Sequence, residues 1–242
     1  ALRGWCYLFR LHGSEYTYGE RSQSDLGWQT CAILRSPLAE RGHLRLACSP
    51  SLDLQEGTKL KPVVRVVHPP SFLPERLYVC QVVFDEFLGL PVVTEPCAEA
   101  REVRISLVGD PSPRCLEIED VLFGDLGASW LSPYSLPQSP LAWWDPQELQ
   151  VEWSDKPLPI LYCKSNHGPY VNIQPWKIRL RIDFLGTIFF MLTRYEELIK
   201  TERDEHDRFP AVASLAFQEG FLERPIVNEY LEVLWLSMKR LW

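Results

Sequence analysis

The densest group of chemically reactive side chains lies between residues 183 and 208 of the 242-residue sequence. Asp183 ends an alternating apolar segment, and Glu197 lies on the helical segment that follows. Asp204 and His206 come in the loop beyond it. If the fold brings them together, these carboxylates and the imidazole could bind a divalent cation or act as general acid and base. The whole group is Asp183, Arg194, Glu196, Glu197, Arg203, Asp204, Glu205, His206, Asp207 and Arg208.

The same side chains also fit a purely structural interpretation, which we favour. Arg194 and Glu197 are three residues apart and would form a helical ion pair worth about 0.2–0.5 kcal/mol. Asp183 is well placed to cap the helix that follows it, and the other charges would solvate a loop. The alternative is a metal-dependent, nuclease-like hydrolytic site, and its residues would be Asp183, Glu197, Asp204 and His206.

A second group of residues is aromatic and lies in a proline-rich stretch. Trp130, Trp143 and Trp144 could present flat faces on which sugar rings stack. Tryptophans in long loops also commonly cover a hydrophobic core, so both interpretations stay open. We therefore treat the three indoles as a candidate aromatic surface for a glycan.

Familiar catalytic and cofactor motifs are absent from the sequence. It has no phosphate-binding loop, no dinucleotide-binding glycine motif, no nucleophile elbow and no H-E-x-x-H pair. The odd number of cysteines and their wide spacing fit neither a zinc site nor a disulfide framework. We expect free thiols in a reducing compartment, at Cys6, Cys31, Cys48, Cys80, Cys97, Cys115 and Cys163.

Several elements precede these groups along the chain. The β-branched run at residues 61–67 predicts a strand that ends before two prolines, and residues 74–90 predict a helix that ends at Gly89. Val103, Ile105 and Leu107 alternate with polar residues, as do Leu116 and Ile118. The turn-rich residues between these two segments indicate a hairpin-like pair of strands.

The second half contains the remaining elements. Eight prolines between residues 124 and 177 preclude long helices and strands, although a short strand fits residues 159–162. Residues 177–183 alternate as a strand, and two helices are predicted, over 184–200 and over 225–242. The predicted fold class is α+β: a small mixed sheet flanked by helices, with a long Pro- and Trp-rich loop region and two C-terminal helices.

Charge divides the chain into two parts. Residues 1–72 carry 9 Lys and Arg against 6 Asp and Glu, a net of +3, whereas residues 73–242 carry 16 against 26, a net of −10. We expect a poorly patterned N-terminal segment at 1–72 and an α+β domain at 73–242. A net charge of −7 argues against a nucleic-acid partner.

The longest apolar run, residues 184–193, falls well short of the about 20 residues that a membrane-spanning helix needs. We therefore expect a soluble, cytoplasmic protein without a membrane partner. The sequence begins with Ala, and its last segment is still helical in pattern at Trp242. These ends suggest a fragment of a longer protein.

Three segments of the second half carry a family resemblance. They are I-D-F-L-G-T-I-F-F-M-L-T-R-Y-E-E at 182–197, R-D-E-H-D-R-F-P at 203–210 and S-L-A-F-Q-E-G-F-L-E-R-P-I-V-N-E-Y at 214–230. With shorter matches from residue 74 onward, they resemble the uncharacterised N-terminal region of bacterial polysaccharide-deacetylase-like proteins. In those proteins the region precedes a NodB-type catalytic domain, a family-4 carbohydrate esterase.

The departures from that family limit what the resemblance implies. Family-4 esterases hold a divalent metal with an Asp and two His, and this sequence lacks both metal-binding motifs. The resemblance implies no catalytic residue, no metal and no cofactor in this chain, with a divalent metal only in the missing deacetylase domain. We expect a non-catalytic accessory domain whose partners are that domain and a glycan or glycoconjugate. A structural or oligomerisation module is a further alternative.

Overall fold

The computed structural model describes residues 62–153, 156–165 and 168–242. The predicted N-terminal segment lies outside the described residues up to residue 61, as do Cys6, Cys31 and Cys48. Within the described ranges the chain forms eight strands. They are β1 (Val64–His68), β2 (Val92–Pro96), β3 (Val103–Leu107), β4 (Cys115–Ile118), β5 (Ala142–Trp144), β6 (Leu158–Ile160), β7 (Val171–Gln174) and β8 (Lys177–Leu180).

Five α-helices accompany the strands in the same ranges. They are α1 (Leu73–Cys80), α2 (Phe184–Leu192), α3 (Tyr195–Ile199), α4 (Leu215–Gln218) and α5 (Ile226–Leu241). Helix α1 continues as a wider π-helical segment, Gln81–Phe87, and the chain leaves it through Gly89 at φ 63°. The helices predicted over residues 74–90 and 225–242 are thus confirmed.

Six strands form one mixed sheet in the order β2-β1-β3-β4-β8-β7. Strand β1 is parallel to β2, β4 is parallel to β8, and β3 and β7 run antiparallel to their neighbours. The carboxyl ends of β1, β2, β4 and β8 therefore meet at one edge of the sheet. Strands β5 and β6 form a separate two-stranded sheet. The predicted α+β fold class is confirmed.

One face of the six-stranded sheet is hydrophobic and buried. The alternation that predicted β3, β4 and β8 places Ile105, Leu116 and Ile178 on this face, each with almost no exposed surface. Helix α5 packs against β4 and β8, and α2 packs between α1 and α5. The other face carries charged side chains. The domain is thus a sheet with its helices on one side.

Two strand predictions from the first half of the chain are confirmed. Strands β3 and β4 pair antiparallel, with Arg104 opposite Glu117. Strand β1 is the second strand of the sheet order although it precedes residue 73. The domain therefore includes the strand that the sequence analysis assigned to the N-terminal segment.

The Pro- and Trp-rich region forms short elements only, as predicted. Its described residues contain 3₁₀ turns at Gly127–Ser129, Pro133–Ser135 and Pro146–Leu149, together with β5, β6 and β7. Strand β6 confirms the short strand predicted at residues 159–162. Proline removes backbone donors from a ladder, so no strand here exceeds four residues.

The single helix predicted over residues 184–200 is wrong, because the chain breaks it into α2 and α3. Arg194 adopts left-handed backbone geometry at φ 53°, between Thr193 at the end of α2 and Tyr195 at the start of α3. The Tyr195 ring is buried, and its hydroxyl contacts the backbone N–H of Leu131 at 2.7 Å and Ser135 Oγ at 2.9 Å. Anchoring Tyr195 in the core redirects the chain, which local periodicity does not reveal.

Replacing Arg194 with glycine is expected to stabilise the protein by about 0.5–1 kcal/mol. A non-glycine residue in the left-handed region costs about 1–2 kcal/mol, and glycine relieves this at some entropic cost. The exposed Arg194–Glu197 ion pair that is lost contributes little. Denaturant unfolding measures the change. Arg194→Ala keeps the strain and removes the same ion pair, so equal stability of the two variants would contradict the argument.

Candidate functional site

Asp183 is the member of the predicted polar group that is buried in the domain. Its Oδ1 accepts a hydrogen bond from the Gly186 N–H at 2.7 Å, which confirms the predicted N-cap of α2. Its Oδ2 accepts two more, from the N–H groups of Val121 and Leu122, both at 2.9 Å. One carboxylate therefore joins the start of α2 to the turn that follows β4.

Two glycines make room for the buried carboxylates. A Cβ on Gly186 would collide with the Asp183 carboxylate, and a Cβ on Gly124 would lie 2.7 Å from Asp120 Oδ2. Real Cβ atoms do not approach other atoms this closely. These positions therefore need glycine because a carboxylate lies directly against the backbone.

Asp120 lies next to Asp183 and is paired with Arg76 of α1. Arg76 Nη1 donates to Oδ1 at 3.0 Å and Nη2 to Oδ2 at 2.6 Å, and both side chains are buried. The guanidinium also donates through Nε to the Ser71 carbonyl at 2.7 Å and lies over the Phe123 ring. This two-point geometry is the strong form of an ion pair and fixes α1 against the end of β4.

Burial dominates the electrostatics of Asp183. Removal from water and the neighbouring Asp120 raise the pKa of Asp183 to about 6, and the three N–H donors oppose that rise. Asp183 therefore binds its proton more tightly in the folded state than in the unfolded chain.

His68 and Glu119 are two further buried groups at this edge of the sheet. Burial lowers the pKa of His68, and its Nδ1 lies 2.7 Å from the Pro69 carbonyl. Nε2 has no hydrogen-bond partner among the residues the structure describes. Glu119 accepts a bond from the Lys164 N–H at 2.8 Å and lies 3.7 Å from Arg181.

We call His68, Arg76, Asp120 and Asp183 the buried polar cluster. It joins the carboxyl ends of β1, β4 and β8 to helices α1 and α2. Each member is almost completely removed from solvent. Over the described ranges, no three His, Cys, Asp or Glu side chains are grouped so that they could hold a metal ion.

The other predicted polar residues lie in separate local contacts. Arg194 pairs with Glu197 at 2.5 Å on the surface, which confirms the predicted ion pair three residues apart, although Arg194 lies outside the helix, directly before α3. Glu196 instead accepts from Lys200 Nζ and from the Leu215 N–H, both at 3.0 Å. Glu196 thus ties α3 to the start of α4.

The loop that contains His206 is closed by its own hydrogen bonds. Asp204 accepts from the Arg208 N–H and from Arg208 Nε, both at 3.0 Å, and from the His206 N–H at 2.8 Å, and these bonds lower the pKa of Asp204. His206 Nε2 lies 3.4 Å from Glu205, and Asp207 adopts φ 57°. Within the described chain, no hydrogen bond or ion pair links this loop to Asp183.

The three candidate tryptophans do not share one exposed surface. Trp144 is buried against Phe184, with ring centroids 6.0 Å apart. Trp130 is half-buried and stacks on Phe72 at 4.7 Å. Trp143 is exposed, and the Arg224 guanidinium lies 5.8 Å from its ring. Of the three, only Trp143 is exposed, at 42% of its surface.

Residues 64–242 match a family of unknown function, DUF7033. The chain belongs to this family. Neither the curated proteins nor the solved structures compared with the chain match it.

Sequence reasoning missed three members of the buried polar cluster in this DUF7033 domain. Asp120 comes two residues after the end of strand β4, behind Glu119, and acidic residues in that position are a recognisable signal of a strand-end site. Arg76 gave no such signal, because a charged residue on a helix is usually exposed. Asp120 and Arg76 lie 44 residues apart, so only the tertiary fold pairs them.

The remaining expectations concern cysteines and membranes. None of Cys80, Cys97, Cys115 and Cys163 forms a disulfide within the described part of the DUF7033 domain, as predicted for those four. Among the residues described, no helix has the length and apolarity needed to cross a bilayer.

Proposed function

We propose that this chain is a non-catalytic accessory domain of a polysaccharide-deacetylase-like protein. In this proposal it packs against a metal-dependent deacetylase domain of the same protein and helps that domain engage its glycan. The resemblance of residues 182–197, 203–210 and 214–230 to such proteins supports the proposal. The function of the DUF7033 family is unknown, so membership of this family is compatible with the proposal.

The contacts of Asp183 carry the non-catalytic part of the proposal. A catalytic carboxylate needs a free oxygen that reaches a substrate, a water or a metal. Both oxygens of Asp183 are instead occupied by three backbone N–H groups, and the side chain is buried. The buried carboxylate of the candidate group therefore stabilises the fold of the domain.

An apolar stretch of surface supports the packing part of the proposal. Leu198, Val212 and Phe217 have exposed side chains. Hydrogen bonds join the segments on which they lie: Glu196 accepts from the Leu215 N–H, and Lys200 Nζ donates to the Ala213 carbonyl. Large apolar side chains collected in one region often mark contacts with another domain. This surface is a suitable place for the deacetylase domain to dock.

Acetate release from the neutral hexamer of N-acetylglucosamine tests the proposal. The 242-residue chain, incubated with Zn²⁺, Co²⁺ or Mn²⁺, is expected to release none. The product of the complete reading frame is expected to release acetate in a metal-dependent manner. Acetate release by the chain alone would overturn the proposal, as would a reading frame without a deacetylase domain.

The alternative of a hydrolytic metal site in the chain itself is tested by calorimetric titration with the same metals. Equal heats for the wild-type chain and Asp183→Asn support the accessory role. Metal binding that Asp183→Asn abolishes would support the hydrolytic site instead. Light scattering over a range of concentrations separates both from an oligomerisation module.

A further inference from the structure

The face of the six-stranded sheet opposite the helices is lined with charges. Glu117 of β4 lies between Arg104 of β3 and Arg179 of β8 in the strand register. Arg65 of β1 pairs with Glu95 of β2 at the same face. This face thus carries both cations and carboxylates on neighbouring strands, whereas the inner face is apolar.

A hollow of about 860 Å³ lies on this charged face. Its lining includes four cations, from Arg65, Arg104, Arg114 and Lys177, and the indole of Trp176. Three acidic side chains, Glu95, Asp110 and Glu117, also line it. We call this space the cationic groove.

Two of the three acids of the cationic groove are withdrawn, whereas Glu95 is 46% exposed in its pair with Arg65. Glu117 is 8% exposed, because Arg104 Nη2 lies 3.2 Å and Lys177 Nζ 2.6 Å from its oxygens. Asp110 is 9% exposed and accepts from Ser112 N–H at 2.9 Å and from the Trp242 indole at 2.7 Å. Arg104, in contrast, is 60% exposed. At the centre of the groove an incoming ligand therefore meets the Arg104 guanidinium before the Glu117 carboxylate.

A second hollow of about 360 Å³ adjoins the groove and shares Arg104 and Glu117 with it. This hollow adds one cation, Arg101, and two acids, Glu99 and Glu102. The larger hollow is therefore the more positively charged of the two, and Trp176 is among its lining residues.

We propose that the cationic groove binds a polysaccharide chain that carries uronic acids, an inference that rests on the proposed function. The sugar carboxylates would pair with Arg104, Arg114 and Lys177, and a sugar ring would stack on Trp176, which is 52% exposed. From Arg65 on β1 to Lys177 on β8 the groove crosses three strand spacings, about 14 Å. A single small anion cannot reach across that distance, whereas an extended chain can.

Charge favours a uronate chain over a nucleic acid. Nucleic-acid affinity depends on neutralising a dense row of phosphates. Residues 73–242 carry a net charge of −10, so a duplex with two phosphates per base pair is repelled more strongly than a chain with one carboxylate per sugar. A uronate chain has a lower charge density and offers ring faces to the indole.

Calorimetric titration with a hexamer of galacturonic acid tests the inference on the full chain. We expect binding that weakens as salt rises, and we expect no binding of the neutral N-acetylglucosamine hexamer. Arg104→Ala is expected to raise the Kd about fivefold to tenfold. Arg208→Ala is the matched control, because Arg208 is similarly exposed and also pairs with an acid. It is expected to leave the Kd unchanged, and thermal melting confirms that both variants are folded.

Three results would overturn the inference. They are no binding of galacturonate, binding that Arg104→Ala leaves intact, and tighter binding of a single-stranded oligothymidylate that Arg104→Ala abolishes. Failure of the proposed function is distinct, since it is detected as acetate release by the chain alone. If Arg104→Ala weakens galacturonate binding, the inference about the groove holds even if acetate release by the chain alone overturns the accessory role.

Discussion

Replacing Arg76 with methionine is expected to lower the free energy of unfolding by about 3–5 kcal/mol. Methionine fills similar volume but leaves the Asp120 carboxylate buried, without its cation and beside Asp183. Stranding one charge of a buried pair is far more costly than the net contribution of the intact pair. Urea unfolding of the full chain measures the loss.

Two controls separate this effect from general loss of charge. Arg65→Met removes an arginine from a pair whose side chains are about half exposed, and it is expected to cost less than about 1 kcal/mol. The double variant Arg76→Met/Asp120→Leu removes both buried charges and is expected to be more stable than Arg76→Met alone. If Arg76→Met costs no more than Arg65→Met, the buried polar cluster does not stabilise the domain as argued.

Replacing Asp183 with alanine is expected to cost about 3–5 kcal/mol at pH 5. The change removes an N-cap and leaves the N–H groups of Gly186, Val121 and Leu122 without their acceptor. Asp145→Ala is the matched control, because Asp145 is exposed and its side chain accepts from one N–H, that of Gln147. It is expected to cost about 1 kcal/mol or less. Similar losses for the two variants would contradict the role assigned to Asp183.

The effect of Asp183→Ala is also expected to depend on pH. The pKa of Asp183 is raised from 3.8 to about 6 on folding, so the folded state binds the proton more tightly. The stability that this proton contributes is complete below about pH 4 and is lost as the pH rises through about 6. The difference in unfolding free energy between wild type and Asp183→Ala should therefore become smaller as the pH is raised from about 4 to above about 6. A constant difference would show that Asp183 keeps an ordinary pKa in the fold.

Much of the fold follows from local pattern. Alternation of apolar residues predicted β3, β4 and β8, and helical periodicity predicted α1, α2 and α5. The N-cap at Asp183 and the Arg194–Glu197 pair were also predictable, because both depend on residues three positions apart. The spacing of residues along the chain determines such short-range contacts directly.

The candidate site was predictable only in part. The sequence drew attention to Asp183 but grouped it with Asp204 and His206, which follow it in the chain. In the fold, its polar neighbour is instead Asp120, because β4 and β8 are adjacent parallel strands whose carboxyl ends meet. Strand order is set by packing across the sheet, and no local pattern records it.

The sequence by itself determined the α+β class, most of its elements and the cap at Asp183, since each depends on side-chain periodicity or on neighbours along the chain. The tertiary structure alone decided where the helix after Asp183 breaks, because the buried contacts of Tyr195 outweigh the helical preference at Arg194. It also decided that Arg76 meets Asp120 and that one sheet face presents its cations. Burial and strand order depend on residues distant in the chain, so these features arise only when the chain is folded.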